Sequence, residues 1–111
     1  MTLHRALIAA GTLATIVAAH TLAQAQDPAP GVVVRGSSDV ISGGLPAARK
    51  DDSTTTPGTG VEEGSNDVII NGKPAARLGD RTNCGVIVRG SSNVFINGKP
   101  MARTGDVTSG C

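Results

Sequence analysis

Two cysteines, Cys84 and Cys111, are the side chains of this chain best suited to covalent or metal chemistry. Cys84 follows Asp80 by four residues and Cys111 follows Asp106 by five, so both come shortly after a Gly-Asp pair. An even number of cysteines in an exported chain favours a disulfide, here closing a loop of about 28 residues and stabilising the fold by roughly 3.5 kcal/mol. The alternatives are a metal bound through the two cysteines and a pair of free thiols. Two cysteines alone do not complete a closed zinc site, which needs four ligands of the Cys and His type.

The first 25 residues differ in composition from the rest of the chain. A short basic start at His4-Arg5 precedes the uncharged apolar run from Ala6 to Ala23, and Ala23-Gln24-Ala25 is a small-x-small cleavage site. This pattern predicts a signal peptide and an exported, periplasmic or secreted protein. The alternative is an uncleaved hydrophobic segment, because the run is just long enough to span a membrane. The predicted divisions are a signal peptide over residues 1–25, a Pro-rich lead-in over 26–30 and one repeat domain over 31–111.

Cleavage after Ala25 would leave 86 residues (111 − 25) with nine basic and nine acidic side chains and no histidine, because His4 and His20 both precede the cleavage site. Without histidine, neither a Ser-His nor a Cys-His nucleophile pair can form. There is also no glycine-rich phosphate loop ahead of a helix. The neutral charge and the single aromatic residue, Phe95, argue against a nucleic-acid partner. We therefore predict no enzymatic activity and no nucleic-acid binding.

One sequence unit occurs three times and organises the chain after its leader. The copies are GSSDVISGGLPAARKDD from Gly36, GSNDVIINGKPAARLGD from Gly64 and GSSNVFINGKPMARTGD from Gly90. They start 28 and then 26 residues apart, and repeats of this length bury their apolar faces against their neighbours. In each copy a proline, an arginine and an aspartate recur at fixed spacing: Pro46, Arg49 and Asp52; Pro74, Arg77 and Asp80; Pro100, Arg103 and Asp106.

Each copy contains the signals of a β-hairpin. Asn71-Gly72 and Asn97-Gly98 follow short β-branched runs and predict two-residue turns, and Gly43-Gly44 can form the same turn in the first copy. Longer opening strands are expected over Val32–Arg35 and Val86–Arg89. Each repeat proline should lie at a strand start or an edge. The sequence thus predicts an all-β fold of three hairpin repeats without a long helix in the mature chain.

The repeated arginines and aspartates admit two interpretations. The arginines could clamp an anion, but pairing with a neighbouring aspartate or with backbone carbonyls is the favoured role. The aspartates fit turn caps better than general acids. Between the first two copies, the polar stretch from Lys50 to Gly60 is expected to be a mobile loop.

The three Pro-x-Ala-Arg copies, two of them followed by Gly-Asp, resemble the PAAR-repeat proteins over about residues 31–111. Members of that family form small β-rich cones that cap and sharpen the spike of bacterial type VI secretion systems. They dock on the blunt end of the trimeric valine-glycine repeat spike protein. The resemblance implies a cone of three hairpin repeats, a non-catalytic capping function with effector delivery as a further role, and that spike protein as partner.

The resemblance also implies zinc as a cofactor. The family holds zinc near the pointed end of the cone with three histidines and one cysteine, and Cys84 lies where the family commonly has its cysteine. The histidines do not carry over, because neither Ser53–Thr56 nor Gly85-Val86 supplies a ligand. Zinc on Cys84 and Cys111, completed by an aspartate or a second chain, is thus the implied alternative to a disulfide.

The leader conflicts with the simplest form of this function. A spike tip is loaded in the cytoplasm, as the resemblance implies, and a chain exported by the general secretory route would miss that assembly. One alternative is an exported cone with another binding partner. The other is a tip whose N-terminal segment is retained, which is the only case in which membrane contact is predicted.

Overall fold

The structure is a computed structural model that describes residues 29–111. The predicted signal peptide and most of the predicted lead-in lie outside the described residues and stay predictions. Within residues 29–111 there are eight two-residue strands and no helix: β1 (Gly31–Val32), β2 (Ile41–Ser42), β3 (Leu45–Pro46), β4 (Ile69–Ile70), β5 (Lys73–Pro74), β6 (Phe95–Ile96), β7 (Lys99–Pro100) and β8 (Val107–Thr108). This part of the chain accordingly offers no helix with the length and hydrophobicity needed to cross a membrane.

Three antiparallel hairpins, β2–β3, β4–β5 and β6–β7, confirm the predicted all-β class of three hairpin repeats. Their two-residue turns have positive φ at both positions, with 53° and 79° at Asn71-Gly72 and 60° and 82° at Gly43-Gly44. Positive φ at both central residues is the geometry of a type I′ turn, which asparagine and glycine tolerate best. Each repeat proline ends the second strand of its hairpin, so its missing N–H interrupts no ladder.

The opening segments of the repeats close into a ring instead of forming the longer strands expected from the sequence. β1 pairs with β8, which joins the first repeat to the last. Single antiparallel bridges link the remaining segments in turn: Val33 to Thr54, Ser53 to Gly60, Val61 to Thr82, Arg81 to Val86 and Ile87 to Thr108. Since each segment passes from one neighbour to the next within two or three residues, no run of pairs is long enough for an extended strand.

The Pro-x-Ala-Arg segments form a second ring with three-fold pseudosymmetry. The amide of Ala48 donates to the carbonyl of Ala102, that of Ala102 donates to Ala76, and that of Ala76 donates to Ala48, each at 2.9 Å. All three alanines are fully buried. This cyclic pattern satisfies the backbone groups at the centre of the fold, and the methyl side chains let the three repeats approach closely.

The core is thin and consists of two clusters with one or more residues from each repeat. The first contains the three central alanines and one larger residue per repeat, Val33, Val61 and Ile87. The second contains Ala47, Ile70, Ala75, Ile96 and Met101. At the position of Ile70 and Ile96, the first repeat has the buried Ser42, whose hydroxyl donates to Ser91 Oγ at 3.2 Å. The first repeat therefore contributes less apolar packing than the other two.

The stretch from Lys50 to Gly60, which its polar composition predicts to be a mobile loop, contains a hydrogen-bonded turn. The amide of Thr54 donates to the carbonyl of Thr59 at 3.1 Å, and the two threonine hydroxyls share a hydrogen bond of 2.6 Å. Thr54 is buried because it belongs to the closing ring of bridges. These contacts attach the turn to the ring of bridges.

Candidate functional site

The repeated arginine and aspartate form one closed pair within each repeat. In the first repeat, Asp52 Oδ2 accepts from the backbone amide of Arg49 at 2.7 Å and from its Nε at 3.0 Å, while Oδ1 accepts from Nη2 at 2.9 Å. The second and third pairs, Arg77 with Asp80 and Arg103 with Asp106, have Nη2–Oδ1 distances of 3.0 and 3.1 Å. The carboxylates are buried and the guanidinium-bearing side chains are 12–18% exposed.

This geometry makes the pairs structural locks for the turn that ends each repeat. The hydrogen bond to the neighbouring carboxylate raises the pKa of Arg49 and of Arg77 above the ordinary arginine value, so both guanidinium groups stay charged. The bidentate contact occupies the Nε and Nη2 edge of each arginine and leaves Nη1 for any other partner. Each aspartate reaches back three residues to an amide, whereas an Asx turn, the geometry expected from the sequence, would reach forward.

A second set of contacts joins successive repeats, and no local sequence signal indicates it directly. Asn71, predicted only as a turn former, accepts from Ser37 Oγ and, at 3.3 Å, from Arg49 Nη1, and its Nδ2 donates to Asp39. One planar amide from the second repeat thus bridges three side chains of the first. The signal that could have revealed it is the coincidence of Asn in the turn with Ser and Asp at fixed places in the preceding copy.

The joint between the second and third repeats has the same arrangement. Asn97 Oδ1 accepts from Ser65 Oγ at 2.7 Å and from Arg77 Nη1 at 3.1 Å, and Asn97 Nδ2 donates to Asp67 at 2.7 Å. The turn asparagines therefore do two things at once: they form the type I′ turn and they fasten each hairpin to the repeat before it.

The two cysteines lie at the end of the fold opposite the hairpins and form a disulfide, with Cα atoms 5.7 Å apart. Three buried threonines from equivalent repeat positions, Thr54, Thr82 and Thr108, lie in the adjoining ring. The carbonyl of Gly110 accepts from Thr108 Oγ1 at 2.9 Å, which ties the C-terminal residues to this ring.

The residues at this end do not fit the zinc that the family resemblance implies. Zinc takes cysteine as a thiolate, and both sulfurs are committed to the disulfide. The buried threonines beside the cysteines, Thr54, Thr82 and Thr108, are not ligands of the Cys and His type. Within residues 29–111, no group of three or more His, Cys, Asp or Glu side chains is arranged to hold a metal ion.

The hairpin end carries large apolar side chains that remain in contact with solvent. Ile41, Ile69 and Phe95 occupy the same position in the three hairpins and are 54%, 55% and 57% exposed. The valines immediately before them, Val40, Val68 and Val94, are also exposed. The sequence signal for this exposed set is the apolar residue that recurs directly before the buried hairpin position in all three copies.

Comparison with known proteins gives one match. The PAAR motif family matches residues 24–88, which is more than half of the 111-residue chain. Searches of curated proteins and of solved structures returned no match. The motif indicates a role of the spike-tip type in type VI secretion, and its family is generally structural and not catalytic. The three hairpin repeats joined around a pseudo-three-fold axis agree with this match. The match covers more than half of the chain, and this chain therefore belongs to the PAAR motif family.

Proposed function

We propose that this protein is a non-catalytic tip that caps the trimeric valine-glycine repeat spike protein, with its hairpin end against the blunt end of the spike. The observation that carries the proposal is the set of three equivalent exposed residues, Ile41, Ile69 and Phe95. A trimer presents three equivalent surfaces, and a single chain with three-fold pseudosymmetry can contact all three alike. The repeats supply this symmetry within one polypeptide.

The apolar hairpin residues supply the driving force for docking. Burying a fully exposed large apolar side chain contributes about 1.5–3 kcal/mol, so a half-exposed side chain contributes about half of that. Three such residues, with the three valines beside them, give several kcal/mol before the cost of association is subtracted. Exposed aromatic and aliphatic side chains at the centre of a surface are typical anchors of protein interfaces.

A second candidate is an exported cone with a different binding partner. The disulfide favours it, because disulfides form and persist in oxidising compartments and are rare in the cytosol. The predicted signal peptide would bring the chain to such a compartment. Under this candidate the fold and the apolar hairpin end stay the same, and only the partner differs.

The test is binding of the protein, recovered from its native host, to the purified trimeric spike protein, followed by native mass spectrometry. The proposal predicts one chain per trimer. The variant Ile69→Asp should lose binding, whereas Val34→Asp should retain it, because Val34 is equally exposed, at 53%, but its amide donates to the Ser53 carbonyl in the ring of bridges and it belongs to no hairpin. No binding of the unaltered protein, or equal loss in both variants, would contradict the proposal.

A further inference from the structure

The joint between the third and first repeats lacks the asparagine that fastens the other two joints. The residue equivalent to Asn71 and Asn97 is Gly43, in the turn between β2 and β3. A Cβ atom added to Gly43 would lie 3.4 Å from Arg103 Nη1 and would meet nothing else within 4 Å. In the described residues Arg103 Nη1 has no hydrogen-bond partner, whereas Arg49 Nη1 and Arg77 Nη1 each donate to an asparagine.

A second substitution changes the chemistry of the same joint. The residue equivalent to Asp39 and Asp67 is Asn93, so an anionic acceptor is replaced by a neutral amide. Asn93 Oδ1 accepts from Ser92 Oγ at 2.7 Å, so its Nδ2 is the donor that remains for another partner. At the other joints a planar amide bridges an arginine donor and a carboxylate acceptor. At this joint a bridging group would meet a hydrogen-bond donor on each side, Arg103 Nη1 on one and Asn93 Nδ2 on the other.

A carboxylate has the planar shape of the asparagine amide and accepts hydrogen bonds through both oxygens. It would take the place of the amide, with one oxygen on Arg103 Nη1 and the other on Asn93 Nδ2. Ser91 Oγ accepts from Ser42 Oγ, so the hydroxyl hydrogen of Ser91 remains as a further donor at this joint. The donors form a small notch, defined here by Gly43, Asn93 and Arg103.

We propose that this notch binds one carboxylate group, and that the carboxylate belongs to an acidic side chain of the protein that docks on the hairpin end. The second clause rests on the proposed function. The notch adjoins the exposed apolar residues, since Gly43 lies two positions after Ile41 and two before Leu45. A partner seated on the hairpin end would bring side chains to its rim. Only one of the three joints has this chemistry, so a trimeric partner would use one of its three equivalent carboxylates.

The notch is tested directly by titrating the protein with sodium acetate in an NMR experiment, with sodium chloride at equal ionic strength as the reference. We expect saturable shifts of the Gly43 and Gly44 amides and of the Arg103 Nε–H with acetate, and none with chloride. Gly43→Asn places an internal amide in the notch and should weaken acetate binding by about tenfold or more, as expected for loss of one charge-assisted hydrogen bond.

Gly44→Asn is the matched control for this titration. Gly44 also has positive φ, but a Cβ there meets nothing within 4 Å, so the added side chain stays clear of the notch. The control should bind acetate as the unaltered protein does. Absence of a saturable acetate response in the unaltered protein, or an undiminished response in Gly43→Asn, would contradict the proposal that the notch binds a carboxylate.

The same variants identify the source of the carboxylate. With the spike protein as ligand, Gly43→Asn should bind about tenfold more weakly than the unaltered protein and than Gly44→Asn. Equal binding of all three would overturn the assignment of the carboxylate to that partner. Failure of the unaltered protein to bind the spike would contradict the proposed function, and the acetate titration would still report on the notch independently.

Discussion

Removal of the disulfide between Cys84 and Cys111 should cost this protein a large share of its stability. The bond joins cysteines 27 positions apart, so the closed loop has 28 residues when both cysteines are counted (27 + 1), and the chain-entropy relation gives about 3.5 kcal/mol at 25 °C. A domain of the 83 described residues has a total unfolding free energy of about 4–12 kcal/mol. With an unfolding entropy of about 0.17 kcal/mol/K for this length, the loss corresponds to a decrease in Tm of about 20 °C.

The assay is thermal unfolding of Cys84→Ala, Cys111→Ala and the double variant, each with and without a reductant or a metal chelator. Either single substitution opens the loop, so the three variants should have nearly the same Tm and the two effects should not add. The reductant should lower the Tm of the unaltered protein only, and the chelator should change none of them. A Tm that falls with chelator and not with reductant would refute the reasoning and favour a metal at this end of the cone.

Three further substitutions test the repeat architecture by chemical unfolding. Asp51 has φ of 75° where the other repeats have glycine, such as Gly79, so Asp51→Gly should stabilise the protein by about 0.5–1 kcal/mol, and unchanged or lower stability would contradict this. Ala76→Val should destabilise by about 1–3 kcal/mol because the central alanine ring has no space for larger side chains, and tolerance of valine would contradict a closed ring. Arg77→Met should cost about 2–3 kcal/mol, since it leaves the buried Asp80 carboxylate without its cation, and a loss below about 0.5 kcal/mol would show that the pair is not a lock.

The sequence predicted the hairpins because their signals are local. The φ requirements of a type I′ turn select Asn-Gly strongly, and the spacing of the copies placed all three turns. The register within each hairpin follows from the turn, since a two-residue loop leaves one way to pair its flanking strands. The family resemblance then supplied the arrangement around an axis, which turn chemistry does not specify.

The ring of short bridges was not predictable from the same signals. Val32–Arg35 and Val86–Arg89 have the composition of extended strands, but each pairs with two different neighbours over a few residues because the ring must close with only three repeats. The Lys50–Gly60 stretch also contains a buried residue that was not predictable, for a related reason. Its polar composition predicts exposure, whereas the threonine at its centre is buried by a partner 21 residues earlier in the sequence, Val33.

The turn asparagines show how one residue can satisfy local and long-range requirements together. The type I′ turn fully explained Asn71, so nothing in the sequence demanded a second role. The role depends on Ser37 and Asp39, about thirty positions earlier, and becomes visible only when the repeats are placed side by side. The open joint at Gly43 could be recognised only by comparison with the two complete joints.

Site-specific photo-cross-linking in the native host tests the central claim, that the hairpin end docks on the spike, most directly. A benzophenone side chain would replace Phe95 on the hairpin end or, as the reference, Val34, which belongs to no hairpin; both residues are more than half exposed. Docking through the hairpin end predicts cross-links to the trimeric spike protein from position 95 and not from position 34. Cross-links from position 95 to a different protein, or to the spike from position 34 alone, would contradict it.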